Sequence, residues 1–189
     1  MRIVAGKFRG LPLKSLKSGA LRPTSSQMRE TLFDVLGEGI CGAQFLDAYA
    51  GSGGVGIEAL SRGAARVVFI EHHRAAVEII RRNLEALSIE SGFRIIATKV
   101  ERGIERLTEE DAQFDYVFLD PPYAELREYH HTLRGLARSG IISAGSLIMV
   151  EHSRYCRLEQ NYGSLIQTRL LRHGDSQLAF YKLGRGSHS

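Results

Sequence analysis

The chain has 189 residues, 43% of them apolar, which is enough for one domain with a sizeable hydrophobic core. No apolar run is long enough to span a bilayer, and the first ten residues lack the apolar content of a signal peptide, so we expect a cytoplasmic protein. The two cysteines lack Cys-x-x-Cys spacing, which indicates reduced thiols rather than a disulfide or zinc framework.

The seven histidines predict no metal site. Four of them form the adjacent pairs His72 and His73, and His130 and His131. Adjacent side chains point in different directions on regular elements, so these pairs are interpreted as solvated positions.

The net charge of +4 is distributed unevenly along the chain. Residues 1–29 contain seven basic residues and no acidic one, so residues 30–189 together carry −3. Such a cluster attracts nucleic-acid phosphates, although a solubilising tail is the alternative. If the segment binds RNA, its removal should leave cofactor affinity nearly unchanged. The predicted contact residues are Arg2, Lys7, Arg9, Lys14, Arg22 and Arg29.

Residues 1–40 are predicted to form an N-terminal extension made of a hairpin and a helix. Segments 2–5 and 11–13 can pair as a short hairpin. The helix is expected to begin at Pro23 and Thr24, with Thr24 and Gln27 as a capping box, and to end at Gly37. Its predicted apolar face consists of Met28, Leu32, Val35 and Leu36.

From residue 41 onward, strand and helix patterns alternate. The apolar runs are QFLDAYA, RVVFIE, FRIIAT, FDYVFLD and SLIMVEH, with helical patterns between them. This alternation predicts an α/β fold with a parallel sheet covered by helices on both faces. Two late runs, SLIQTRLLRH and QLAFYKL, predict an antiparallel pair at one edge. We therefore expect one domain over residues 41–183 and a disordered tail over residues 184–189.

The first strand of this series ends in a glycine-rich turn. Gly51, Gly53 and Gly56 have the spacing G-x-G-x-x-G, in which missing side chains let the backbone approach a ligand at a helix N-terminus. The spacing alone is also compatible with an ordinary strand-to-helix turn that is rich in glycine.

Two acids indicate which ligand the turn binds. Glu71 ends the second strand, twenty residues after Gly51, where a ribose-binding carboxylate belongs. Asp47 lies at the mouth of the first strand, where the pyrophosphate of NAD would meet a like charge. S-adenosylmethionine has instead a cationic methionine end for Asp47 and a ribose diol for Glu71. A solvated strand end is the alternative for either acid.

A second motif, Asp120-Pro121-Pro122-Tyr123, follows the FDYVFLD strand. Ligands of doubly wound sheets bind at the C-terminal ends of the strands, so this loop and the glycine turn are expected to face one crevice. The prolines remove two N–H groups, which leaves acceptors and almost no donors. An exocyclic amino group fits such a loop: Asp120 and the Pro121 carbonyl would accept its hydrogens, and Tyr123 would stack on the base. A rigid turn with a packed tyrosine is the alternative.

FLDAYAGSGGVGIEAL, Glu71 and DPPY, in this order, resemble the class I S-adenosylmethionine-dependent methyltransferases that modify exocyclic amino groups. The resemblance implies a Rossmann-like, seven-stranded, mostly parallel sheet of order 3-2-1-4-5-7-6, whose C-terminal strand pair is antiparallel. The patterns RIVAGKFRGLPL, RPTSSQMRETLF and GDSQLAFYKL are further similar to the 16S ribosomal RNA guanine-N2 methyltransferases of the RsmD type.

This resemblance implies direct methyl transfer to the N2 amino group of a guanine in 16S ribosomal RNA or a small-subunit particle. We expect a monomer that needs no metal. The family usually has an acid or amide after the third strand, but this chain has Lys99 there, so a backbone N–H near Val100 is expected to contact the adenine. The implied cofactor-binding residues are Asp47, Tyr49, Ala50, Gly51, Ser52, Gly53, Gly56, Glu71 and Val100.

Three rival functions share part of this pattern. A DNA adenine methyltransferase would share residues 120–123 but normally needs a target-recognition segment, for which the chain has little spare length. An NAD-binding oxidoreductase would share the glycines but neither Asp47 nor the Asp120 loop. A non-catalytic ribosome-assembly factor would share the basic segment and has no need of that loop.

Overall fold

The computed structural model of the chain describes residues 1–15, 25–122 and 126–184. The chain forms two units, Met1–Lys99 and Val100–Ser189. The N-terminal extension and the first three strands belong to the same unit.

The first unit alternates strands and helices as the sequence predicts. Its elements are α1 (Ser26–Leu36), a 3-10 turn (Gly37–Ile40), β1 (Gln44–Asp47), α2 (Gly54–Ser61), β2 (Arg66–Ile70), α3 (Arg74–Ala86) and β3 (Phe93–Ile96). Strand β2 pairs in parallel with β1 on one side and with β3 on the other. Four of its five residues are buried, as expected for a central parallel strand. The order β3-β2-β1 is the one that the resemblance implies.

The second unit continues the alternation and ends in antiparallel strands. Its elements are α4 (Val100–Glu109), β4 (Phe114–Leu119), α5 (Leu126–Arg138), β5 (Ile142–Ser153), β6 (Asn161–Tyr162), β7 (Leu165–His173) and β8 (Ser176–Leu183). Strands β4 and β5 are parallel, whereas β5 pairs with β8, β8 with β7, and β7 with β6 in antiparallel fashion.

The predicted number of seven strands is wrong, because the described residues form eight. The additional strand, β6, has only two residues, too few to show an alternating pattern in the sequence. When β6 is left out of the count, β7 and β8 are the sixth and seventh strands, so the order β4-β5-β8-β7 is the implied order 4-5-7-6. The last long pair is antiparallel, as predicted. No helix among residues 1–15, 25–122 and 126–184 is long and apolar enough to cross a membrane.

The two ends of the chain differ in detail from the prediction. The N-cap of α1 is Ser25, whose hydroxyl accepts a hydrogen bond from the Met28 N–H at 3.0 Å, so the predicted capping box at Thr24 is wrong. Pro23 and Thr24 themselves lie outside the described residues. At the other end, the Gly184 N–H donates to the Ser164 carbonyl at 2.7 Å, so ordered contacts extend one residue into the predicted tail. Residues 185–189 lie outside the described part.

The predicted N-terminal hairpin is confirmed. Arg2 and Pro12 form an antiparallel bridge, and the Ile3 N–H donates to the Leu11 carbonyl at 3.1 Å. The hairpin packs on α2, where the buried Glu58 carboxylate accepts from the Val4 and Ala5 N–H groups at 2.8 and 2.9 Å. The described residues 1–15 are therefore fixed to the first unit by backbone contacts.

Candidate functional site

The glycine-rich turn between β1 and α2 is held at several points. The Ala50 N–H donates to the Ile70 carbonyl at the end of β2, and the Gly53 N–H donates to the Ala50 carbonyl at 2.7 Å. Gly51 and Gly53 have φ angles of +52° and +78°, which side-chain-bearing residues rarely adopt. Two glycines of the turn thus have left-handed backbone conformations, and the turn lies directly before a helix N-terminus, as the sequence predicts.

Gly56 acts by close packing rather than by turn geometry. A Cβ at this position would lie 2.3 Å from the Phe69 ring of β2, so only glycine lets α2 approach the strand this closely. The Gly56 N–H donates to the Asp47 carboxylate at 2.9 Å. Gly56 was predicted to bind the cofactor, but its N–H contacts Asp47 inside the fold.

Asp47 is 1% exposed, so the alternative of a solvated strand end is wrong for this residue. Burial raises the pKa of its carboxyl group to about 7, the Gly56 N–H opposes this rise, and the negative charge of Glu71 adds to it. Among the described residues, no positive charge is a cause of this pKa shift. A cationic ligand would stabilise its ionised form.

Glu71 fastens the glycine turn to the end of β2. One of its oxygens accepts from the Gly51 N–H at 2.9 Å and the other from the His73 N–H at 2.7 Å. The side chain is 7% exposed, so Glu71 is not a solvated strand end either. Each carboxylate oxygen can accept a second hydrogen bond, which leaves capacity for ligand hydroxyls.

The prediction that His72 and His73 point apart is wrong. Their ring centroids lie 3.8 Å apart, and their nitrogens lie within 4.8 Å of one another and of a Glu71 oxygen. The reason is local: both residues lie in the irregular link between β2 and α3, where the alternation of a regular element does not apply. Both rings are exposed. Each of the two Glu71 oxygens already accepts a hydrogen bond from a backbone N–H group.

Asn83 connects the glycine turn to the N-terminal hairpin, a role that the sequence analysis missed. Its side-chain nitrogen donates to the carbonyl groups of Ser52 and Lys14, both at 3.0 Å. Its side-chain oxygen accepts from the Lys14 N–H at 2.8 Å. A buried asparagine between Ile80 and Leu84 on the apolar face of α3 is the signal that could have revealed it.

The predicted RNA-binding residues divide into exposed and buried ones. Arg2, Lys7, Arg9 and Lys14 are exposed on the hairpin, and Arg22 lies outside the described residues. Arg29 is fully buried: its guanidinium donates to the Arg2 carbonyl at 2.9 Å and lies 3.9 Å from Glu58. The assignment of Arg29 to RNA binding is therefore wrong, because its positive charge serves the packing of α1 against the hairpin and α2.

The Asp120 loop begins directly after β4. Asp120 and Pro122 are partly exposed and Pro121 is buried, while Tyr123 lies outside the described residues. The Pro121 carbonyl, predicted to accept from a substrate amino group, accepts a hydrogen bond at 3.0 Å from the hydroxyl of Tyr129 on α5. A carbonyl oxygen has two lone pairs, so one remains for a substrate. Tyr129 is fully buried and was missed by the sequence analysis.

Val100, the residue predicted to contact adenine through its backbone, is the first residue of α4. Its side chain is buried, and that of Lys99 is exposed. N–H groups in the first turn of a helix lack intrahelical acceptors, so the Val100 N–H is in a position that permits a contact with adenine. The contact itself stays a prediction.

A family model described as "Conserved hypothetical protein 95" matches residues 1–182. The chain belongs to this family. A candidate rRNA methyltransferase, YlbH of Bacillus subtilis, is 31% identical over 96% of the chain and 98% of its own length. Ribosomal RNA small subunit methyltransferase D of Escherichia coli K12 is 37% identical over 80% of the chain and 74% of its own length. The predicted resemblance to the RsmD type is thereby confirmed.

Solved structures support the same family assignment at the level of the fold. A candidate methyltransferase from Escherichia coli, yhhF, has a TM-score of 0.81 and 31% identity, and the match covers 97% of both chains. A more distant candidate methyltransferase, complexed with SAH, has a TM-score of 0.69 and 14% identity over 87% of this chain and 50% of its own. The predicted Rossmann-like methyltransferase fold, with a parallel core and antiparallel C-terminal strands, is confirmed.

Proposed function

We propose that the chain transfers a methyl group from S-adenosylmethionine to the exocyclic N2 amino group of a guanine in 16S ribosomal RNA. The observation that carries this proposal is the pair of buried carboxylates at the glycine turn, Asp47 and Glu71. A pyrophosphate would bring negative charge close to both, whereas S-adenosylmethionine brings a cation and a diol. Relatives of this family are named as ribosomal RNA methyltransferases, which supports the choice of substrate.

The cofactor residues are proposed to be the turn residues 49–53 with Asp47, Gly56, Glu71 and Val100. Glu71 would accept the ribose hydroxyls with the lone pairs that the Gly51 and His73 N–H groups do not occupy. The bound cofactor supplies an electrophilic methyl group on a sulfonium. Asp47 would lie near the cationic end, where a positive charge offsets the unfavourable burial of its carboxylate.

The Asp120 loop is proposed to hold the guanine. The Asp120 carboxylate and the Pro121 carbonyl would accept the two hydrogens of the N2 amino group, which aims the nitrogen lone pair at the methyl carbon. As the nitrogen–carbon bond forms and the carbon–sulfur bond breaks, the electron pair goes to sulfur and positive charge develops on N2. Asp120 stabilises that charge and is the proposed acceptor of the departing proton.

Two further aromatic residues serve this loop in the proposal. Tyr129 keeps the Pro121 carbonyl in place from the buried side. Tyr123 and Pro122 complete the loop around the base, with the Tyr123 ring as the stacking plane. Holding the reacting atoms in line is expected to supply most of the rate, since orientation is worth about 7 to 11 kcal/mol.

RNA phosphates are proposed to bind the exposed basic residues of the N-terminal hairpin. Arg2, Lys7, Arg9 and Lys14 are all exposed there, within a segment that has no acidic residue. Each phosphate contact would add to the salt dependence of RNA binding. The proposed partner is 16S ribosomal RNA, either naked or in a small-subunit particle.

The proposal is tested by incubating the protein with methyl-labelled S-adenosylmethionine and naked 16S RNA, small-subunit particles or duplex DNA, followed by digestion to nucleosides. We expect label in N2-methylguanosine from one or both RNA substrates and none in DNA. Label in N6-methyladenine would favour the DNA adenine methyltransferase. RNA binding without transfer to any of the three substrates would favour the assembly factor, and NAD binding would favour the oxidoreductase.

A further inference from the structure

The turn that follows β5 carries an aromatic side chain that is largely in solvent. Among the described residues, Tyr155 is the most exposed large hydrophobic side chain, at 75%. The Arg154 guanidinium lies 4.8 Å from the centroid of the Tyr155 ring and donates to its hydroxyl at 2.6 Å. An exposed ring beside an arginine is the pair of groups that stacks on unpaired nucleic-acid bases.

The turn is held rigidly from its buried side by His152. This side chain is 2% exposed, and its Nδ1 lies 3.0 Å from the Ser153 carbonyl and 3.1 Å from the Cys156 carbonyl. Because both partners are acceptors, Nδ1 carries the proton and donates to them. Burial lowers the pKa of His152, which keeps the ring neutral. The Cys156 N–H closes the turn by donating to the Ser153 carbonyl at 2.9 Å.

The same turn is held on its other side by the β7–β8 turn. The Arg154 N–H donates to the Asp175 carbonyl at 2.9 Å, and the Arg154 guanidinium lies 3.1 Å from the Asp175 carboxylate. The Tyr155 ring is therefore presented on a backbone that is already ordered. A ligand that stacks on it does not have to order the loop first.

The position of the turn follows from strand register within the second unit. Strands β4 and β5 are parallel, and Leu119, the last residue of β4, lies opposite Val150 of β5. Strand β5 continues for three more residues, to Ser153. The Asp120 loop and the turn after Ser153 therefore follow the C-terminal ends of two neighbouring parallel strands, at the same edge of the sheet. Arg157, which is exposed, follows in the same segment. Arg172, also exposed, lies near the end of β7, just before the turn to β8. The first residue of β8, Ser176, pairs with Ser153 at the end of β5.

We propose that residues 153–157, with Arg172, form a second RNA-binding surface, on which Tyr155 stacks with an unpaired base that flanks the target guanine. The arginines would contact the neighbouring phosphates. This inference rests on the proposed function, because the same edge carries the loop that is proposed to hold the guanine. RNA fits the surface because unpaired bases stack on aromatic rings and phosphates pair with arginine.

The test measures the affinity of the full chain for 16S RNA by filter binding, alongside its affinity for S-adenosylmethionine by calorimetry. Tyr155→Ala should weaken RNA binding about 5- to 150-fold, the range of one base–aromatic stack, and leave cofactor affinity unchanged. Tyr155→Phe keeps the ring and should bind RNA as the parent does. Ile166→Ala, at the opposite end of β7 and 45% exposed, is the matched control and should have no effect.

The arginines are tested by salt dependence. Arg157→Ala and Arg172→Ala should each flatten the dependence of RNA affinity on salt concentration, whereas Arg138→Ala, an exposed arginine at the end of α5, should leave it unchanged. The proposal fails if the parent binds and methylates RNA and Tyr155→Ala does so equally well, and the proposed function then still stands. It also fails if Tyr155→Ala and Ile166→Ala weaken binding equally. A parent that does not bind RNA refutes both.

Discussion

Asn83 offers a test of whether the N-terminal hairpin supports the cofactor turn. Its side-chain amide donates to the Ser52 and Lys14 carbonyls and accepts from the Lys14 N–H. The variant Asn83→Asp has the same shape and keeps the acceptor for Lys14. It loses both donors and places a carboxylate against two carbonyl oxygens.

The expected magnitude follows from those contacts. Each of the two carbonyl groups loses a partly buried hydrogen bond worth about 0.5 to 1.5 kcal/mol, so the free energy of unfolding should fall by about 1 to 3 kcal/mol. Release of the Ser52 carbonyl also loosens the glycine turn, so we expect S-adenosylmethionine to bind about tenfold more weakly. Removal of the hairpin would then weaken cofactor binding as well, whereas the sequence analysis expects that affinity to stay nearly unchanged.

Urea denaturation and calorimetric titration with the cofactor measure both effects. The matched control is Asn161→Asp, the same chemical change at an exposed position in β6, which should alter the unfolding free energy by less than about 0.5 kcal/mol. If Asn83→Asp unfolds and binds the cofactor as the parent does, the hairpin and the turn are not coupled through this side chain.

Three further substitutions test single contacts of the site. Tyr129→Phe removes the donor to the Pro121 carbonyl and keeps the ring, so kcat should fall about tenfold with unchanged cofactor affinity; an unchanged kcat would contradict this role. Glu71→Gln leaves one of two backbone N–H groups without its acceptor. Cofactor binding measured by calorimetry should weaken by about 1.5 to 3 kcal/mol, and an unchanged affinity would refute this role of Glu71. Asp47, with a pKa of about 7, holds a proton that the unfolded chain releases above about pH 4, so stability should decline as pH rises from about 4 to 7. Asp47→Asn should reduce that decline, by at most about 4 kcal/mol in urea denaturation, and an identical pH profile would contradict the raised pKa.

The sequence was sufficient to predict the elements that depend on local pattern. The central strands are continuous apolar runs because helices or neighbouring strands cover them, and β2 is the clearest case. The glycine turn and the two acids that end β1 and β2 were found because chain spacing alone fixes their positions. Their burial was not predictable from spacing, since it depends on how α2 closes over β2 at Gly56.

The contacts that the sequence did not reveal join residues through tertiary packing. Asn83 lies 69 positions from Lys14, and nothing in either local pattern marks the pair. Arg29 belongs to a run of basic residues, but a charge pattern does not tell which member is folded inward against Glu58. Tyr129 lies on the buried face of α5, and only the structure places its hydroxyl on the Pro121 carbonyl.

The central claim is that Asp120 accepts from the reacting amino group, and single-turnover methylation with bound cofactor measures that step directly. Asp120→Asn keeps an acceptor and loses the charge, whereas Asp120→Ala loses both. We predict a graded loss of rate, milder for asparagine, with alanine slower by about 30- to 1000-fold, which corresponds to about 2 to 4 kcal/mol, while cofactor affinity changes much less. If Asp120→Ala methylates RNA as fast as the parent, the loop is only a stiff turn and the proposed acceptor mechanism is wrong.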